Sequence, residues 1–179
     1  KGGARSVEAA VASPLVYEDL VEVVGNLKDT YGRPRYVKVA EQIKVIVAEL
    51  VPEVITWNQG PMGERSGNPL KDPRTIVHQG DVLELIRAGN GSYDAILLDT
   101  DNGPEGLTQA KNNRLYSHRG LQSAYKSLRP GGVLAVWSTD QHDPFTRRLE
   151  LAGFRVKEEK VFAHRNKGIK HHLWFATRP

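Results

Sequence analysis

The sequence predicts an α/β protein: a mostly parallel sheet, helices on both faces, and an antiparallel hairpin at one edge. Three observations carry this. From residue 43 onward, short apolar runs alternate with segments of helical periodicity, as in strands joined by crossover helices. Several of the runs are apolar throughout, which suits strands buried on both faces. The last two strand-like segments, Arg155 to Phe162 and Leu173 to Ala176, have no helix between them, so they pair antiparallel.

The elements follow in order. Leu15, Val16, Leu20, Val23, Val24, Leu27 and Tyr31 fall on one side of a helix at about 100° per residue. Ser13-Pro14 offers its start and Gly32 its stop. Residues 1–35 are therefore expected to be an N-terminal helical segment, ahead of a main domain over 36–179. A competing reading makes Leu20 to Gly25 a strand. Tyr36 to Ala40 is a short strand candidate. Lys44 to Ala48 is a buried strand ending at Glu49-Leu50. Pro52 opens a helix over VPEVITWNQ, where its missing N–H costs nothing. GPMGERSGNP reads as a loop. Thr75 to His78 is a strand closed by Gly80-Asp81, and Val82 to Arg87 a short helix. Tyr93 to Asp99 is the clearest buried strand. Asn113 to Leu128 reads as one helix, stopped by Arg129-Pro130-Gly131-Gly132. Val133 to Trp137 is the next strand. Asp143-Pro144 caps a helix that runs to Ala152-Gly153. A polar loop, HRNKGIKHH, joins the two final strands.

Composition narrows the function classes. The 179 residues are 39% hydrophobic and 26% charged, as in an ordinary globular chain of about one domain. No apolar run approaches the roughly 20 residues of a membrane span. KGGARSVEAAV lacks a signal-peptide core, so the expected compartment is the cytoplasm. With no cysteine, disulfides, zinc-thiolate sites and thiol nucleophiles are excluded. The net charge of +4 is uneven: residues 153–179 hold seven Lys and Arg against two acids, and the other 152 hold 18 against 19. This is a basic tail, not a nucleic-acid-binding body. No G-x-S-x-G, P-loop or H-E-x-x-H string occurs, which argues against the hydrolase, NTPase and zincin chemistries they mark.

Four strings carry a resemblance: KVIVAELVPEVI, DPRTIVHQGDVLELI, YDAILLDTDNGP and LYSHRGLQSAYKSLRPGGVLAVWS. In this order, each at a strand-to-helix junction, they resemble the spermidine synthase family and its methyltransferase-fold relatives. The likeness is strongest over residues 43–140. It implies a Rossmann-like S-adenosylmethionine-dependent methyltransferase fold, of which an antiparallel C-terminal edge hairpin is typical. It implies a group transferase that uses S-adenosylmethionine, or its decarboxylated form, on a small amine or other nucleophile, without a metal. The family's N-terminal β-hairpin region, which helps build its active site and dimer, has no counterpart in residues 1–35. A homodimer stays open.

Ligands in open α/β sheets bind at the carboxyl ends of the strands. Glu49 is an acid at such an end, able to accept both hydroxyls of a ribose; its other role is an acid favoured by a helix start. Gly80, Asp81 and Val82 follow the next strand. Asp81 can accept the adenine amino hydrogens or cap the following helix. Asp99 ends the most hydrophobic strand, with Asp101 two residues on, and paired carboxylates suit general-base work. The resemblance implies that Asp99 and Asp101 hold the attacking amine and take its proton, with Asp99 also beside the cofactor. Asp99 matches the family position. Asp101 matches approximately, since the family has a longer gap to its second acid and a proline directly after it. Asp101-Asn102-Gly103 also reads as a plain turn.

One feature is missing. Families of this fold carry a glycine-rich turn after the first strand, where the backbone approaches the cofactor closely. Residues 25–42 hold two isolated glycines. If Tyr36 to Ala40 were the first strand, only Glu41-Gln42 would separate it from the next, and a parallel crossover needs about a dozen residues. Three explanations stand: a loop and helix missing between Ala40 and Ile43, a non-catalytic relative that lacks them, or a first strand at Leu20 to Gly25.

Other residues have plainer readings. His164, His171 and His172 are expected on a solvated edge hairpin rather than around a metal, because adjacent strand residues face opposite ways. Trp57, Trp137, Trp174 and Tyr116 are expected to pack, with Trp137 and Ser138 also at a strand end where a ligand can sit. The rivals to amine transfer are a small-molecule methyltransferase and a non-catalytic binding module.

Overall fold

A computed structural model of the chain describes residues 7–12, 43–100, 104, 113–139, 142–164 and 167–179. The chain forms two compact units, Lys1–Asp81 and Val82–Pro179. The helix expected over 14–31, the candidate strands at 20–25 and 36–40, and the boundary at residue 35 lie outside the described residues.

In the first unit, β1 (Val7–Ala12) runs parallel to β2 (Ile43–Glu49), in register from Val7 opposite Ile43 to Ala12 opposite Ala48. Parallel to β2 on its other side is β3 (Thr75–Gln79). A strand at Val7–Ala12 is absent from the sequence reading, and it removes the crossover shortfall. The strand beside β2 ends at Ala12, so residues 13–42 are available for the connection, well beyond the dozen a crossover needs. Helix α1 (Pro52–Gln59) begins at its proline as expected, yet none of its residues is buried, and Trp57 is 55% exposed. Trp57 is thus not a packing residue of this unit. The expected loop at 60–69 contains a short helix, α2 (Pro61–Arg65). It can follow α1 so closely because Gly63 has no side chain: a Cβ there would meet the Asn58 carbonyl at 2.0 Å.

In the second unit, α3 (Val82–Ala88) buries Val82, Leu83 and Ile86. Strand β4 (Tyr93–Leu98) pairs parallel with β5 (Leu128–Ser138). β5 pairs antiparallel with β7 (Lys167–Thr177), which pairs antiparallel with β6 (Arg155–His164). The expected edge hairpin is therefore present. It is longer than expected, because most of the polar HRNKGIKHH stretch is strand.

Three other boundaries shift for local reasons. The single helix expected over 113–128 is two, α4 (Asn113–Tyr116) and α5 (His118–Ser127). Ser117 breaks it: its backbone is extended and its Oγ accepts the Gly120 N–H at 3.2 Å, a helix cap. β5 starts at Leu128 rather than Val133. Gly131 and Gly132 do not stop the chain there, because each exchanges a 2.8 Å backbone hydrogen bond with Arg178. Helix α6 (Asp143–Leu151) takes His142, not Asp143, as its N-cap; Asp143 is the acid of its first turn.

The core of this unit is continuous across the sheet and its helices. Ile96, Leu121, Leu128, Leu134, Val136, Phe145, Leu149 and Trp174 are fully buried. Phe145 meets both Tyr116 and Trp174 edge to face, with ring centroids 5.6 and 5.1 Å apart, a favoured geometry. Part of the basic tail is spent internally. Arg178 donates to the Tyr125 and Lys126 carbonyls at 3.1 and 3.3 Å and to that of Leu128. A cation there suits the negative end of α5. Lys157 pairs with Glu159 at 2.6 Å.

Candidate functional site

β2 and β3 are parallel, so their carboxyl ends share one edge of the first unit. Glu49 stands opposite Gln79, and the Gly80 N–H donates to the Glu49 carbonyl at 3.0 Å. Three of the predicted residues, Glu49, Gly80 and Asp81, are thus gathered at these two strand ends. Glu49 is half-buried, and its Oε1 accepts the Val51 N–H at 2.8 Å just ahead of α1. The helix-start role read from the sequence is thus present: Oε1 serves it, while Oε2 has no partner among the described residues.

Gly80 leaves room for the His78 ring. A Cβ there would lie 2.8 Å from His78 Nε2, so the imidazole rests against the turn that presents Asp81. Sequence reasoning passed over His78; its signal is the i, i+2 spacing to a glycine on one strand face. Asp81 is half-buried and immediately precedes α3. The Val82 side chain is only 6% exposed and belongs to the core, so a ligand can meet this residue only through its backbone.

In the second unit, Asp99 follows the last residue of β4. It is half-buried, and Leu98 beside it pairs with Val136 of β5. Thr100 is anchored: its Oγ1 lies 2.7 Å from the Tyr116 hydroxyl. Tyr116 is 1% exposed, and its carbonyl accepts from Arg148 Nη1 at 3.1 Å. Tyr116 is a packing residue, as expected, but its hydroxyl also fixes the chain next to Asp99. Asp101 lies outside the described residues.

At the end of β5, Trp137 stacks on His171, ring centroids 4.7 Å apart. The next histidine faces the other way. His172 is 3% exposed, packs on Trp174 at 4.6 Å, and shares a 2.7 Å hydrogen bond with Glu158. Glu158 also accepts from Thr146, whose Oγ1 accepts the Trp174 indole N–H at 2.9 Å. Burial works to raise the Glu158 pKa, but the hydrogen bonds from Thr146 and His172, with the charges of His172 and Lys160, hold the carboxyl below its ordinary value. The solvated hairpin expected for these histidines is thus corrected for His172, which is a core residue with a satisfied ring. Among the described residues no group of three or more His, Asp or Glu side chains is arranged to hold a metal. No helix among them is long and apolar enough to cross a membrane.

Comparison with known proteins adds to this geometry. The profile of a family described as S-adenosyl-L-methionine-dependent methyltransferase matches residues 43–173. A polyamine aminopropyltransferase of Corynebacterium efficiens is 32% identical over 103 residues, which is 56% of this chain and 19% of that protein. A spermidine synthase from Thermotoga maritima superposes with a TM-score of 0.69 at 17% identity, covering 98% of this chain and 54% of that one. A spermidine synthase solved with the transition state analogue AdoDATO gives 0.68 at 18% identity, with the same coverages. Human methyltransferase-like protein 13, solved with SAH, gives 0.66 at 17% identity, covering 96% and 72%. The chain therefore spans about a fifth of the curated relative and about half of the two spermidine synthases. The structural likenesses show a shared fold, the methyltransferase fold expected from the sequence.

Proposed function

Because the chain belongs to the S-adenosyl-L-methionine-dependent methyltransferase family, we propose that it is a group transferase joining a small amine to a carbon next to the sulfonium of S-adenosylmethionine or its decarboxylated form. The observation that carries the reading is Glu49: a strand-end carboxylate with one oxygen committed to Val51 and the other open, hydrogen-bonded through its carbonyl to the Gly80 turn. In this reading Glu49 accepts the ribose hydroxyls and Asp81 the adenine amino hydrogens. Asp99, with Asp101, orients the amine and takes its proton as the carbon–nitrogen bond forms and the carbon–sulfur bond breaks. The products are a substituted amine and a neutral thioether. The protein's share is positioning and proton removal. Acidic groups also suit two cationic partners.

Aminopropyl transfer is favoured by the likeness to the polyamine aminopropyltransferase over 103 residues. Methyl transfer is favoured by the family profile and by the displaced second acid, Asp101. The glycine-rich turn remains without a counterpart: Ser13-Pro14 follows β1, and the next glycine after it is Gly25. Titration calorimetry with both nucleosides decides. Tight binding of the decarboxylated form alone supports aminopropyl transfer, and tight binding of S-adenosylmethionine alone supports methyl transfer. No heat with either near millimolar concentration rejects the reading and leaves a non-catalytic relative.

A further inference from the structure

We propose that the far half of the β6–β7 hairpin is a docking arm for double-stranded DNA, held through the phosphates that border the major groove. This goes beyond the group-transfer reading and uses none of the strand-end carboxylates.

The register defines the arm. β6 and β7 pair along their whole length, from Arg155 opposite Thr177 to His164 opposite Lys167. β5 pairs with β7 only from Val133 opposite Thr177 to Ser138 opposite His172. Beyond His172 the two strands therefore have only each other as ladder partners among the described residues. They form a two-stranded ribbon about 17 Å long at the usual strand rise, running on past the end of β5.

Positive charge is concentrated on this ribbon. Residues 160–164 and 167–171 hold Lys160, Lys167 and Lys170, with His164 and His171, and no acid. Lys160 is exposed at the root, within the field of Glu158. Lys170 stands further out, opposite Phe162, and Lys167 further still, opposite His164. The acids at the root are already engaged, Glu158 by His172 and Thr146, and Glu159 by Lys157. The sequence alone shows a basic tail; the fold sets its lysines on a narrow projecting ribbon.

A row of cations calls for a polyanion, and the shape of the ribbon selects which. Paired strands lie about 5 Å apart, and the B-form major groove, about 12 Å wide, admits a two-stranded ribbon. The A-form major groove of duplex RNA is too narrow for one. Single strands are held on stacking platforms, and these segments contain one aromatic residue, Phe162. An acidic polypeptide added along β6 would run against Glu158 and Glu159.

The test is fluorescence anisotropy of the full chain with a short labelled DNA duplex, between about 50 and 200 mM salt. Wild type is expected to bind saturably, with log affinity falling against log salt at a slope of about −2.7, for three phosphates neutralised. Lys167→Gln/Lys170→Gln should make that slope shallower by about 1.8 and weaken binding about tenfold or more at the lowest salt. Lys167→Arg/Lys170→Arg should stay within about twofold of wild type, which excludes a merely structural loss. Arg119→Gln/Lys126→Gln removes the same charge from exposed residues of α5 and should weaken binding less than about threefold. Absence of saturable duplex binding overturns the proposal, as does an unchanged slope in Lys167→Gln/Lys170→Gln. Equal losses in the ribbon and α5 variants overturn it too, since net charge alone would then explain binding. Duplex RNA or polyglutamate bound as tightly as DNA overturns the groove fit and with it the choice of partner.

Discussion

The hydroxyls of Tyr116 and Thr100 lie 2.7 Å apart, so a fully packed aromatic on α4 holds the residue that follows Asp99. Tyr116 is held in turn by Phe145 and Arg148. The stretch that carries the candidate acceptor carboxylate is thereby tied to the core.

Removing either hydroxyl should show this coupling. Tyr116→Phe and Thr100→Val are each expected to cost about 1 kcal/mol, read from urea unfolding midpoints. The double variant should cost distinctly less than the two losses combined. Strict additivity would mean the contact contributes nothing to the fold.

Glu49 separates binding from folding. Glu49→Gln keeps an oxygen for the Val51 N–H, so its melting temperature should match wild type, while nucleoside affinity falls about tenfold or more. Glu49→Ala loses that oxygen as well and should also cost about 1 kcal/mol of stability. Unchanged calorimetric affinity in Glu49→Gln would remove Glu49 from the site.

Gly80 and His78 should behave as a pair. A Cβ at residue 80 meets His78 Nε2 at 2.8 Å, so Gly80→Ala must displace the imidazole that rests against the turn before Asp81. Nucleoside affinity should drop in Gly80→Ala and recover in His78→Ala/Gly80→Ala. A double variant no better than Gly80→Ala would place the damage in the backbone rather than in this contact.

Glu158 sets an acid limit on stability. Its pKa in the fold is below the ordinary value near 4.5, so its contribution is complete above the unfolded pKa and disappears as pH falls through the lowered one. The stability gap between wild type and Glu158→Gln should be constant from about pH 6 to 5 and shrink below about pH 4.5. Asp72, held at about 2 by side-chain hydrogen bonds from Arg74, is present in both proteins and cancels. A gap that widens on acidification would contradict the assignment.

Among the described residues Trp174 is the largest fully buried side chain, in contact with Phe145 and His172 and bonded to Thr146. Trp174→Ala is expected to cost about 3–5 kcal/mol, measured by denaturant unfolding, and to free Glu158 and His172 from their network.

Local pattern determined much of this protein. Apolar runs marked β2, β3 and β4. Pro52 marked the start of α1, and the strand-end acids Glu49, Asp81 and Asp99 were legible because a charged residue ending an apolar run is a local signal. What failed were the places where distant residues decide. Gly131 and Gly132 read as a stop, yet Arg178 extends the strand through them. His171 and His172 are adjacent and chemically identical, and only the sheet faces to which β7 assigns them make one a satisfied core residue and the other a stacked ring with an open nitrogen. Val7–Ala12 shows no separate signal, since its six residues become a strand by pairing with β2 across thirty intervening positions. Residue order specifies which segments can be strands or helices, because that depends on neighbours a few positions away. Which strands pair, and which polar atoms are left for a ligand, depends on hydrogen bonds between distant residues, and these exist only once the chain has folded.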